Sequence, residues 1–99
     1  MDHIVTWSPR ALDDVNEIAA YIANDSEVYS ASVVRAILVK ARGLSSFPNL
    51  GRIVPEFGDE HIREVFVYSY RIIYKVKLDT VIIAAVVHGK RLIELSIKP

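Results

Sequence analysis

Apolar residues follow two different periods along the chain, and the change of period marks its elements. Val5 and Trp7 alternate with Ile4 and Thr6 in a stretch of good β-formers, which predicts a short first strand over residues 3–7. Ser8-Pro9 stops that strand. Serine at the cap, proline at the first helical position, then Asp13, Asp14 and Glu17 near the positive end of the dipole together predict a helix start. Ala11, Val15, Ile18, Ala19 and Ile22 recur at helical spacing until Asn24-Asp25-Ser26 breaks the pattern. Ser26 can cap a second helix with Ala31, Val34, Leu38 and Ala41 on its core stripe and Val33, Ile37 and Leu44 beside it. Gly43 weakens its last turns by about 1 kcal/mol relative to alanine. Pro48 restricts Phe47 to extended geometry, so the helix ends by Phe47.

Residues 49–60, with Gly51, Pro55 and Gly58, show neither period and read as a loop or an irregular edge segment. Three β-branched and aromatic runs follow, over residues 62–67, 70–77 and 80–88, joined by the two-residue links Tyr68-Ser69 and Leu78-Asp79 that suit antiparallel hairpins. The order β-α-α-β-β-β predicts an α+β fold: a helical hairpin packed on one face of a small, mostly antiparallel sheet. One domain over residues 1–99 is expected, with neither repeats nor a linker. The run from Val81 to Val87 has no polar position on either side, although a sheet covered on one face should alternate. Its second face calls for cover, from the tail around Leu92, Ile93 and Leu95 or from an apolar segment of a partner, and the partner is the expectation.

Composition narrows the chemistry. The chain is 52% hydrophobic and 24% charged, with 4 glycines and 4 prolines, which is too apolar for intrinsic disorder. It has no cysteine, so thiolate chemistry and zinc-thiolate sites are excluded and a reducing cytoplasm suits it. Its longest apolar run is far short of the roughly 20 residues of a membrane-spanning helix, and no secretory signal opens it. A cytoplasmic location without membrane contact is therefore expected. The formal net charge is zero, but between Phe66 and Arg91 the bases Arg71, Lys75, Lys77, Lys90 and Arg91 face only Asp79. That imbalance suits either an anionic partner or solvated strand-edge charges that discourage aggregation. His3, His61 and His88 lack ligand spacing, so neither a metal nor another cofactor is expected.

Trp7-Ser8-Pro9-Arg10-Ala11, followed by Asp14, Ile18 and Tyr21-Ile22-Ala23, resembles the opening of the RelE/ParE superfamily of toxins. Phe47-Pro48, Gly51-Arg52, Pro55-Glu56, Ile62-Arg63-Glu64, Tyr70-Arg71-Ile72-Ile73-Tyr74 and Val86-Val87-His88-Gly89-Lys90-Arg91 continue the likeness in the family's order. The resemblance implies the toxin of a type II toxin-antitoxin module, of the plasmid-stabilisation kind, held inactive by an antitoxin whose tail wraps its helices and sheet. It also implies one of two targets: DNA gyrase, poisoned in the ParE manner without catalysis, or messenger RNA on the ribosome, cleaved in the RelE manner. A non-toxic orphan with the same fold is a third alternative, because fold alone does not fix function.

Ribonucleolytic attack by a ribose 2'-hydroxyl needs a base, an acid and cations for the phosphorane charge. On the RelE-like reading the resemblance nominates Arg71, with Arg63, His88 and Glu56, as catalytic. The same residues have quieter roles as ion pairs, a strand-end hydrogen bond and a solvated loop carboxylate. Extending the Lys77–Thr80 hairpin pairing puts Arg71 opposite Val86, on the same face as His88 and roughly 7 to 8 Å from it, near enough to share a phosphate. No aromatic residue follows Tyr74 to stack a base, and zero net charge gives little pull toward a polyanion, so the gyrase reading is preferred. Arg71, Lys90, Arg91, Leu92 and Ile93 are the expected partner-binding residues. Trp7 is read as core, Ser8 as a cap, and Tyr70 and Tyr74 as half-buried neighbours on one strand face.

Overall fold

Ser8 turns a strand into a helix within one residue. The computed structural model describes residues 2–90, and in it β1 (Ile4–Trp7) runs directly into α1 (Pro9–Ala23). Ser8 is extended (φ −70°, ψ 157°) and its hydroxyl accepts from the Ala11 amide at 3.0 Å, while Pro9 fills the first turn, where no amide donor is needed. Ser26 repeats the device for α2 (Glu27–Gly43), accepting from the Tyr29 amide at 3.0 Å. Between the helices the buried Ser30 hydroxyl donates to the Ala19 carbonyl at 2.7 Å, so this polar group enters the interface satisfied.

The chain then adds β2 (Arg52–Ile53), β3 (Ile62–Val67), β4 (Tyr70–Val76) and β5 (Thr80–His88). The sheet order is β1-β5-β4-β3-β2, with β1 parallel to β5 and the other pairs antiparallel. The fold is α+β, two helices on one face of a mixed five-stranded sheet. The segment expected to be a loop or irregular edge supplies β2, a two-residue edge strand paired with β3.

Two expectations about burial are corrected. On α2 the core stripe is Ser30, Val33, Ile37, Ala41 and Leu44, whereas Ala31 is exposed and Leu38 is 41% exposed. Two apolar stripes lie side by side on this helix, and polar Ser30 disguises the inner one. On β5, Val81 and residues 83–87 are all buried. Val81, Ile83 and Val86 pack under the helices. Ala85 and Val87 lie on the other face in a second cluster with Val54, Ile62, Ile73 and Phe57. The chain covers its own two-sided strand, so the partner expected there is not needed.

A third correction concerns register. The pairing predicted from Lys77 and Thr80 holds as far as Tyr74 opposite Ile83, but a bulge follows, and Ile73 pairs with Ala85. Beyond it Arg71 faces Val87 rather than Val86. A one-residue slip moves every later side chain to the other face of the sheet.

A carboxylate in the inner stripe of α2 costs several kcal/mol against a total stability of roughly 5 to 15. Ile37→Asp should therefore leave no cooperative melting transition, whereas Leu38→Asp, expected from the sequence pattern to unfold the protein, should melt within a few degrees of wild type by circular dichroism.

Candidate functional site

The face of the sheet away from the helices carries a charge cluster among apolar neighbours. The β3–β4 hairpin pairs Phe66 with Arg71 and Glu64 with Ile73, which sets Glu64 and Arg71 diagonally adjacent on one face. Glu64 is 1% exposed and Arg71 4%. The Arg71 guanidinium donates from Nε to Glu64 Oε1 at 2.7 Å, and from Nη1 and Nη2 to the two oxygens of Glu56 at 2.9 Å each. Its Nη2 also lies 2.6 Å from Glu64 Oε1. Arg52 on β2 donates to the other Glu64 oxygen at 2.5 Å and lies 5.5 Å above the Phe66 ring. The hydrogen bonds that Arg71 donates to Glu56, ahead of those to Glu64, hold its guanidinium above the ordinary arginine range despite the opposing effect of desolvation. These bonds pin the segment around Pro55-Glu56 onto the sheet.

On the other face, Tyr74 is fully buried. Its hydroxyl accepts from the Gly51 amide at 2.9 Å, and Arg63 Nη1 donates to the Gly51 carbonyl at 3.0 Å. A Cβ at Gly51 would collide with the Glu64 carbonyl oxygen, so only glycine lets this strand approach β3. Desolvation pushes the Tyr74 phenol above its ordinary 10.0, with the Gly51 hydrogen bond and the Arg63 charge opposing the rise.

Of the four catalytic candidates the structure brings together Arg71 and Glu56. Arg63, paired with Tyr74, projects from the opposite side of the sheet. His88 pairs with Tyr70 beyond the bulge and stands edge-on to its ring at 6.0 Å, so it shares no face with Arg71, and the expected Arg71–His88 phosphate clamp does not form. Lys90 is exposed, its amide donating to His88 Nδ1 at 3.3 Å. Arg91, Leu92 and Ile93 lie outside the described residues. Sequence reasoning missed Glu64 as a partner of Arg71, and Arg52 as the second cation on Glu64. The signal was present, since the Tyr68-Ser69 link fixes which residues face each other and a lone glutamate in an apolar strand needs a cation nearby. Among the described residues no cluster of three His, Cys, Asp or Glu side chains is placed to hold a metal, and no helix is long and apolar enough to cross a membrane.

A family profile described as "ParE toxin of type II toxin-antitoxin system, parDE" matches residues 5–93. The chain belongs to the ParE toxin family. Solved structures of similar fold include the chromosomal ParDE toxin-antitoxin system from P. aeruginosa, at TM-score 0.74 and 16% identity over 89% of this chain and 97% of that one. The toxin-antitoxin complex RelBE2 from Mycobacterium tuberculosis aligns at 0.64 and 19% identity over 89% and 99%. A double arginine-to-alanine mutant of E. coli toxin RelE in the free state aligns at 0.65 and 17% identity over 91% and 86%. No curated protein matches the chain by sequence. At these identities the structures share the fold with this ParE-family toxin, and the fold spans both the ParE and the RelE branches.

Two outcomes follow from the cluster and from Tyr74. Arg71→Ala leaves Glu64 buried without its main partner and should destabilise the protein by about 3 to 5 kcal/mol in chemical denaturation, whereas Arg52→Ala, on the exposed side, should cost about 1 kcal/mol or less. Because the folded state raises the Tyr74 phenol above its unfolded value, the stability it contributes is fully present below about pH 10 and is lost as pH rises through the raised value. Melting temperature should fall in step with phenolate absorbance above about pH 10, and Tyr74→Phe should start lower but decline less steeply.

Proposed function

We propose that this chain is a growth-arresting toxin that binds and poisons DNA gyrase without cleaving RNA, and that a cognate antitoxin neutralises it. The observation that carries this reading is the occupation of Arg71: Nε, Nη1 and Nη2 all donate to Glu56 and Glu64. A guanidinium held between two carboxylates has its charge cancelled where a nuclease needs positive potential for a phosphorane. Glu56, for its part, has both carboxylate oxygens accepting from the Arg71 guanidinium and so turned away from an incoming hydroxyl. With His88 and Arg63 on the other side of the sheet, no acid, base and cation converge among the described residues. Zero net charge adds little attraction to ribosomal RNA. Membership in the ParE family points the same way.

The antitoxin surface on this reading is the outer stripe of α2. Ala31, Val34, Leu38 and Val39 line a shallow apolar groove bordered by Arg35 and Arg42. The groove suits an amphipathic helix with carboxylates at its margins. The ParDE toxin-antitoxin system and the RelBE2 toxin-antitoxin complex share this fold, which agrees with such a partner.

The test induces the chain in cells and compares gyrase-dependent DNA breaks with primer-extension cuts in translated messages. Gyrase-linked breaks with intact messages are expected, and codon-registered cuts without DNA damage would establish the nuclease reading instead. Leu38→Asp should stay folded and toxic yet escape rescue by its cognate antitoxin, with affinity reduced at least about 100-fold, a loss of the size seen when an interface anchor is removed.

A further inference from the structure

The β3–β4 hairpin turns on Tyr68 and Ser69, and Tyr68 has φ 52°. That left-handed conformation favours glycine or asparagine, and a bulky residue adopts it against a steric penalty. Burial does not compensate, since Tyr68 is 62% exposed. Its ring meets Tyr29 of α2 edge-on at 6.4 Å and 60°. Tyr70, two residues on, meets His88 edge-on at 76°. Tyr29 and Tyr21 both lie near enough to the Tyr70 hydroxyl to add to the rise that burial gives its pKa. Tyr21 is itself 74% exposed and Tyr29 51%. Both helices, the β3–β4 turn, β4 and β5 thus contribute aromatic rings to one surface. Asp25, exposed in the turn between the helices, and Glu27, exposed at the start of α2, set carboxylates on its helical rim, and Lys90 follows His88 on the other side.

Electron-rich ring faces beside carboxylates attract a cation and repel a polyanion. Exposed tyrosines are also the side chains that dominate protein–protein contacts, because they bury much area at low entropy cost. We propose that this tyrosine surface docks the toxin's protein target, receiving a segment that lays an arginine or lysine between apolar side chains onto the rings. The proposal rests on the reading of the chain as a toxin that acts by binding, and adds to it the face used and the chemistry of the docked segment. The antitoxin groove begins at Ala31, two residues from Tyr29 and so on nearly the opposite side of α2. The two surfaces are separate, and a strained tyrosine kept in a turn is explained by what it contacts rather than by what it stabilises.

The experiment compares Tyr68→Asn, Tyr29→Ser and Glu27→Lys with wild type for growth arrest on induction, for inhibition of supercoiling by purified DNA gyrase, and for melting temperature. Tyr68→Asn should melt no lower than wild type, since asparagine tolerates the turn, yet need at least about tenfold more toxin for the same inhibition. Tyr29→Ser should weaken inhibition similarly, and Glu27→Lys should weaken it most at low salt. Full potency of Tyr68→Asn and Tyr29→Ser would overturn the proposal. A melting point for Tyr68→Asn well below wild type would show that Tyr68 serves the fold, and stronger action of Glu27→Lys would show an anionic partner; either result overturns it. A wild-type chain that arrests growth without affecting gyrase defeats the gyrase reading alone, because the growth-arrest comparison still decides the surface. A chain that arrests nothing has no target to dock and defeats both.

Discussion

The edge of β5 beyond the end of β1 is where the fold is decided. β1 stops pairing at Trp7 opposite Ile83, and the chain leaves the sheet to start α1. Backbone groups of β5 past that point would be buried without partners, at a cost comparable to a lost hydrogen bond for each. α1 supplies them. The Ser8 hydroxyl donates to the Ala84 carbonyl at 3.0 Å and Asp14 accepts from the Val86 amide at 2.9 Å, while Ser8 also caps its own helix. These two side chains hold the extra residue of β5 beside the bulge. The same two contacts dock α1 on the sheet and fix the face of every residue from Ala85 to His88.

From that slip the charge distribution follows. Arg71 stays on the face away from the helices, with Glu64 beside it and the segment bearing Glu56 folded over it, while His88 goes to the helical side beside Tyr70. Removing ions from water is expensive, and the cluster is tolerable because each guanidinium nitrogen meets a carboxylate oxygen in good geometry. The arrangement makes Arg71 a clamp joining loop to sheet. It also withdraws the most buried cation of the described chain from any bound phosphate, which is why the proposed activity is recognition rather than RNA cleavage.

The helices serve the exterior unequally. α2 turns Val33, Ile37 and Ala41 inward and leaves Leu38 and Val39 in solvent between Arg35 and Arg42, the surface proposed for the antitoxin. The tyrosines where the helical turn meets the β3–β4 hairpin form the surface proposed for the target. Separate faces would let the bound antitoxin act by bulk and position instead of by occupying the target's own contacts.

By itself the sequence determined the elements, because caps and periods are local. Ser8-Pro9 and Ser26 start the helices as expected, the two-residue links Tyr68-Ser69 and Leu78-Asp79 set the hairpins, and the β-α-α-β-β-β order restricts the layers. Arg71 and Glu56 were nominated from the sequence as nuclease candidates, but not as partners of each other. Only the tertiary structure decided which of two adjacent apolar stripes on α2 is buried, since both satisfy a 3.6-residue period and the choice depends on which side meets the sheet. Only it covered the second face of β5, with Val54 and Phe57 from a segment that has no period to read. And only it placed the bulge, because the groups that stabilise the extra residue, Ser8 and Asp14, lie more than seventy residues away in sequence.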